Sequence, residues 1–203
     1  MNMVFNTVKK NLEDKGYTVS CFDNSKDACE YLNAKIDGMT VGHGGSMTLA
    51  EMGVCQALAT HNTVYGHQTT MASDDREKII FEANNADIYL SSVNGLSEDG
   101  QIINIDGNCN RVASILYGHK KVYFIVGKNK LAPDYDSALF RARNIAAPLN
   151  AKRLKRNTPC AVKGDRCYDC KSPERICRAL TVFYTKPSGQ DYEVVLINED
   201  LGY

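Results

Sequence analysis

Two hydrophobic periods take turns along the chain. Residues 2–14 carry apolar side chains every three or four positions, which predicts a helix closed by Gly16, and "YTVSCF" (17–22) reads as a short strand. "NSKDACEYLNAKI" returns to the helical period behind a cap at Asn24 or Ser25, and "GMTVG" is a short buried strand. After the turn "GHGGS", "MTLAEMGVCQALA" predicts one helix and "NTVYG" a strand. "DDREKIIFEANN" reads as a helix with an exposed acidic first turn, and "ADIYLSSV" as a strand. "LSEDGQIINIDG" predicts a hairpin, with Asp99-Gly100 as the strongest turn signal in the chain. Helix "CNRVASILYG", strand "KKVYFIVG" and helix "DYDSALFRARNIAA" follow, the last ended by Pro148. The tail "ALTVFYTKPSGQDYEVVLIN" reads as two β-runs around a Pro-Ser-Gly turn.

Strands alternating with helices argue for an α/β fold: a mostly parallel sheet with helices on both faces, and two hairpins adding antiparallel strands at an edge. No repeat, linker or low-complexity tract divides residues 1–203, which reads as a single domain with a cysteine-rich lobe at 158–178. With 203 residues, 43% of them hydrophobic, the chain can bury one substantial core. Its 24 basic and 24 acidic residues cancel, so no net field favours nucleic acid or an anionic membrane as partner. No span of about 20 apolar residues is present. "MNMVFNTVKKNLEDKG" lacks the apolar core of a signal peptide, so a cytosolic location is expected. Disulfides are rare there, and clustered cysteines are more often ligands or reactive groups.

Candidate chemistry concentrates in three places. The first is "TVGHGGSMTLAEMG", which sets Gly42, Gly44 and Gly45 between a strand and a helix with Ser46 as cap. Such a turn presents backbone N–H groups to an anion at a helix N-terminus, and Ser46 and Thr48 would add hydroxyls. The alternative is a tight turn that needs residues tolerant of positive φ. The turn lacks the lysine of a P-loop and the spacing of GxGxxG, so no nucleotide cofactor motif is present. His43, inside the turn, is a candidate proton carrier or an exposed loop histidine, and Glu51 a candidate base or a solvated side chain. His61, His67 and His119 fall in connections and carry less signal.

The second place is "SSVNGLSEDGQIINIDGNCNRVASILYG". A strand end followed by polar residues is where α/β sheets bind ligands. Asn94 offers a neutral donor and acceptor, and Arg111 can grip an oxyanion through two parallel hydrogen bonds. Asp106-Gly107 reads as a turn and Asn108 as the cap of the helix beginning near Asn110. Cys109 at the helix start is either a stabilised thiolate or a packed thiol. Glu98 and Asp99 are candidates for proton transfer.

The third is "CAVKGDRCYDCKSPERIC", with the spacing C-x6-C-x2-C-x6-C. Cys160, Cys167, Cys170 and Cys177 could form a four-sulfur shell, which zinc and an iron–sulfur cluster both accept. Packed free thiols, or disulfides and a redox pair, remain the alternatives. The adjoining "PLNAKRLKR" reads first as a solvated helix end, with an anion or partner contact as the alternative.

Taken together, "GGSMTLAEMG", "NGLSEDGQIINIDGNCNRVASILYGHKKVYFIVGKNKL", "IAAPLNAKRL", "TPCAVKGDRCYDCKSPERIC" and "LINEDLGY" resemble the LUD-domain family of lactate-utilisation proteins. The likeness runs over nearly the whole chain and is weakest before residue 39. It implies the Rossmann-like three-layer α/β/α fold of the sugar-phosphate isomerase and coenzyme A transferase superfamily, with a ligand site at the strand ends. By that resemblance Gly44, Gly45, Ser46 and Thr48 form one wall of the site and Asn94, Asn104, Asn108 and Arg111 another. It also implies a part in oxidising L-lactate or a related organic acid alongside iron–sulfur electron-transfer partners, which tilts the cysteine shell towards iron–sulfur over zinc. His43 and Cys109 stand where that family is more variable or more often has glycine. Two other functions fit the same residues: an isomerase or coenzyme A-handling enzyme with no redox centre, and a non-catalytic subunit whose cysteine lobe docks a partner.

Overall fold

The computed structural model describes residues 3–66 and 75–203, so His67 and Asp74 lie outside the described residues. Numbered in chain order, six strands form one wholly parallel sheet. Its order is β1 (Thr18–Phe22), β10 (Asp191–Ile197), β7 (Lys121–Gly127), β4 (Ile88–Ser91), β2 (Thr40–His43), β3 (Thr63–Tyr65). The middle strands are near-continuous apolar runs because both of their faces are covered. On β7, Val122, Phe124 and Val126 enter one core while Tyr123 and Ile125 enter the other. On β10, Tyr192, Val194 and Leu196 oppose Val195 and Ile197 in the same way.

One face carries α2 (Ser25–Lys35), α3 (Met47–Met52) and α4 (Val54–Leu58), which contribute Ala28, Leu32, Leu49, Val54 and Leu58. The other carries α1 (Asn6–Asp14) and α6 (Asn110–Leu116), through Val8, Leu12, Val112 and Ile115. On that side α5 (Arg76–Asn84) lies against β2, β3 and α6. A Cβ on Gly42 would overlap the Ala83 carbonyl of α5, which explains a glycine in the middle of β2.

A second sheet of four strands covers the rest of the α1/α6 side. Its order is β8 (Leu131–Ala132), β5 (Gly95–Ser97), β6 (Ile102–Asp106), β9 (Ala179–Phe183). The Asp99-Gly100 hairpin forms as β5–β6, with Gly100 at φ 85°. The antiparallel strands thus make a sheet of their own instead of edging the main one. The tail is likewise not a hairpin: β9 pairs with β6, whereas β10 inserts between β1 and β7. A strand as apolar as "YEVVLI" gains most where both faces are buried, and only the centre of the parallel sheet offers that.

Two helices differ from expectation. The helix predicted over 47–59 breaks at Gly53, which takes φ 65° between α3 and α4. Pro148 does not end its helix either. α7 (Tyr135–Arg141) passes through a π-turn over Ala142–Ala146 into α8 (Ala147–Arg153), with Pro148 in the first turn of α8. The widened turn absorbs the missing proline N–H and its steric demand without breaking the rod.

Glu193 is wholly buried near the start of β10. Burial alone would raise its carboxyl, but hydrogen bonds from Lys121, Tyr31, Ser20 and Lys35 overrule that and hold it down at about 2. This network closes the end of the sheet opposite to the candidate site.

Candidate functional site

The C-terminal ends of β2, β4 and β7, neighbours in the sheet, converge on one cavity of about 240 Å³. After β2 come Gly45 and Ser46, after β4 come Ser92 and Asn94, and just past β7 comes Lys130. Such a crevice beyond the strand ends is where open α/β sheets take ligands. Asn108 and Arg111 line its far wall, and Asn150 and Arg153 of α8 close it from the side.

The glycine turn serves packing as much as binding. Ser46 caps α3 by accepting from the Leu49 N–H at 3.3 Å. A Cβ on Gly44 would lie 3.2 Å from the Cβ, Cγ and Cδ of Arg111, so the glycine lets that arginine cross the turn. Thr48 is buried behind the cavity, donating to the Leu201 carbonyl and accepting from Lys130. Gly42, Gly44, Thr48 and Asn104 therefore stand behind the wall, while Gly45, Ser46, Asn94, Asn108 and Arg111 line it. With only six residues in α3, the anion-attracting dipole expected of a long helix there is short.

Arg111 is held on every side. Its Nη1 donates to Asn104 Oδ1, its Nη2 to the Ile105 carbonyl at 2.8 Å, and its Nε lies 3.5 Å from Asp106 Oδ2. Asp106 also collects the N–H groups of Gly107, Asn108, Cys109 and Val112. This carboxylate caps α6, and Asn108, expected to do so, is left on the cavity wall. The residue directly before α6 is Cys109 at φ 65°, a left-handed conformation that favours glycine. Asn94 accepts the Ile105 N–H on Oδ1 at 2.7 Å, which leaves its Nδ2 as the group offered to the cavity.

Lys130 is the residue that sequence reading passed over. It is only 3% exposed, and its Nζ lies 2.7 Å from Thr48 Oγ1 and 2.8 Å from Ser92 Oγ. Burial pushes it down to about 7; the charges of Arg141 and Arg111 push the same way, and Glu51 opposes them. Glu51 is no base facing the cavity: it accepts the Gly202 N–H at 2.7 Å. Arg76, Arg153 and Arg156 stand at the rim, so among the described residues Asp106 is the lone carboxylate beside five cationic lining residues. Such a balance suits a small anion.

His43, Glu98 and Asp99 are elsewhere. His43 is buried at the end of β2, with Nδ1 3.0 Å from the Gly44 carbonyl and Gly66 against its ring. Glu98 and Asp99 sit at the other end of the β5–β6 hairpin, where the Glu98 carbonyl accepts from Asn11 of α1. His61 is bonded to Asp37 and Asn33, and His119 is stacked on Tyr89.

Tyr203 completes the wall, at the end of a segment tied down by Asn129. Asn129 bonds the Leu201 N–H and the Gly202 carbonyl, and Tyr203 places its hydroxyl 2.6 Å from Arg153 Nε and 2.9 Å from Asn150 Oδ1. The LUD domain model matches residues 5–197. The chain belongs to the LUD-domain family. Among solved structures, this LUD domain is similar to a DUF162 family protein from Deinococcus radiodurans, at 10% identity over 96% of each chain with a TM-score of 0.54. It also matches eIF2B beta from Chaetomium thermophilum, at 12% identity over 56% of this chain and 44% of that one, with a TM-score of 0.39. No curated protein matches it in sequence.

The cysteine segment of this LUD domain does not assemble a shell. Among the described residues no three His, Cys, Asp or Glu side chains come together as metal ligands, and no disulfide joins any of the eight cysteines. Cys167 and Cys177 share a small cavity, whereas Cys160 lies beside Thr158 and the Cys170 carbonyl accepts from Arg175. Arg175 ties the segment together, since it also donates to the Cys177 carbonyl at 2.8 Å and to Asp169 at 2.9 Å. Burial pushes the Cys177 thiol up, against the pull of Arg175. In this arrangement the four thiols are free and are not gathered into one ligand group. A larger, more open depression of about 500 Å³ lies between α7 and this segment, with no buried charge on its walls.

Proposed function

We propose that this LUD domain binds a small organic anion in the cavity at the β2, β4 and β7 strand ends, and that it takes part in the cytosolic oxidation of L-lactate or a related hydroxy acid. One observation carries the reading: a buried lysine, bonded to two hydroxyls and to no carboxylate among the described residues, sits on the floor of a cavity ringed by arginines. A buried lysine is costly to charge on its own, and an anion that enters beside it offsets that cost. A carboxylate would accept from Lys130 and from Asn94 Nδ2, with the rim arginines drawing it in. The volume, below the range of roughly 300–1,000 Å³ that takes drug-sized ligands, favours a metabolite of a few carbons. Membership of the family supports lactate as its chemical class.

Calorimetry and thermal denaturation with L-lactate, sugar phosphates and coenzyme A test this. Saturable binding of lactate, with a rise in melting temperature, is expected. Stabilisation by a sugar phosphate or coenzyme A and none by lactate would replace the reading with the isomerase or acyl-transfer class.

A further inference from the structure

Lys130 ends between two hydroxyls whose own protons are already committed. Thr48 Oγ1 donates to the Leu201 carbonyl at 3.2 Å, and Ser92 Oγ to the Ile125 carbonyl at 2.6 Å. A hydroxyl carries a single proton, so both oxygens must accept from Nζ. That fixes what the nitrogen can show to the cavity it lines. A neutral amine has two N–H bonds, both taken up by the hydroxyls, and only its lone pair remains. Burial and the two nearby guanidinium groups favour that neutral form. Glu51, the carboxylate that acts on it, is itself bonded to the Gly202 N–H. A lysine made neutral by burial beside other cations is the usual setting of an amine nucleophile.

We propose that Lys130 is a nucleophile and that the cavity takes 2-oxo acids through a reversible imine at its Nζ. The proposal rests on reading the cavity as an anion site, and it names the ligand class of that site. The nitrogen lone pair adds to the keto carbon as the C=O pair moves onto oxygen. The resulting carbinolamine then expels that oxygen as water, carrying both hydrogens that nitrogen has lost. Amine and carbonyl become imine and water, with no change in oxidation state. Thr48 and Ser92 already hold those two hydrogens. The carboxylate next to the keto group would answer Asn94 Nδ2 and the arginine rim, which a simple aldehyde could not do. Reversal requires that water return, and the polar cavity mouth gives it a path.

The full chain is incubated with pyruvate or glyoxylate, reduced with borohydride and digested for mass spectrometry, while L-lactate binding is followed separately by calorimetry. The expected result is one reduced adduct on Lys130 that saturates with pyruvate, is competed away by L-lactate and is lost in Lys130→Met. Lactate binding without an adduct on Lys130 overturns the imine and leaves the anion site standing. Failure of both acids to bind overturns the two readings together. Adducts spread over surface lysines as heavily as on Lys130 also overturn it. Because the adduct is mapped on the unaltered chain, the test decides even if Lys130→Met fails to fold.

Discussion

Gly44 and Arg111 occupy each other's space: a side chain on the glycine would begin 3.2 Å from three carbons of the arginine. The turn after β2 and the start of α6 are therefore fitted to one another across the cavity. Gly44→Val adds an isopropyl group at this contact and would drive Arg111 off Asn104 and the Ile105 carbonyl. The expected cost is about 1–3 kcal/mol of stability, as for other overpacked sites, with a parallel loss of anion affinity. Urea denaturation and calorimetry with lactate measure the two. Full affinity in the variant would mean that Arg111 has no part in shaping the wall.

Lys130 makes lactate binding depend on pH. Its folded value of about 7 lies below the ordinary lysine value of 10.5, so charging it in the empty cavity is unfavourable. A bound carboxylate reverses that preference, and binding takes up a proton. Affinity should rise as pH falls through about 7, with proton uptake visible as buffer-dependent heat, and Lys130→Met should abolish both. The same shift sets the sign for the empty protein. Between about 7 and 10.5 the unfolded chain holds more protons, so stability from this group rises with pH across that window. Lys130→Met should accordingly raise the melting temperature at neutral pH.

Glu193 contributes stability of the opposite sign. Its folded value of about 2 lies below the ordinary 4.5, so its contribution is complete above about 4.5 and disappears as pH falls towards 2. Glu193→Gln leaves Lys35 and Lys121 without their shared counter-charge and should cost about 1–3 kcal/mol at neutral pH, because both cations keep some contact with water. The variant's denaturation midpoint should then vary less than the parent's between mildly and strongly acidic buffers.

In the cysteine segment the arginine matters more than the thiols. Arg175→Ala removes three hydrogen bonds, to Cys177, Cys170 and Asp169, and should speed limited proteolysis within residues 165–178 severalfold. Cys167→Ser with Cys170→Ser should leave both the proteolysis rate and the metal content of anaerobically purified protein unchanged. Iron or zinc that disappears in the double variant would show that the segment rearranges around a metal.

The alternation of periods made the layers legible, because buried central strands and one-faced helices leave different patterns. The strand-end location of the site followed from the same alternation, and Gly45, Ser46, Asn94, Asn108 and Arg111 were readable as polar or flexible residues at those ends. Lys130 was not, since a lysine in "GKNKL" looks like any solvated loop residue. The available signal was its position, three residues past the apolar strand β7. "YEVVLI" carried a similar signal: its unbroken apolar run argued for the sheet centre more strongly than the Pro-Ser-Gly turn argued for a hairpin. Pro148 misled because a proline rule for straight α-helices does not anticipate a π-turn upstream. The cysteine spacing is symmetric in sequence, yet spacing says nothing of where the intervening backbone points each sulfur.

The placement of β10 has a bearing on biosynthesis. A chain that has been translated as far as residue 190 already possesses β1, β7 and the glycine turn, but β1 has no neighbour and the pocket lacks Tyr203. Ligand competence therefore arrives only once residues 191–203 have been added. A nascent chain stalled before that point would expose two unpaired strand edges to chaperones or to its own kind.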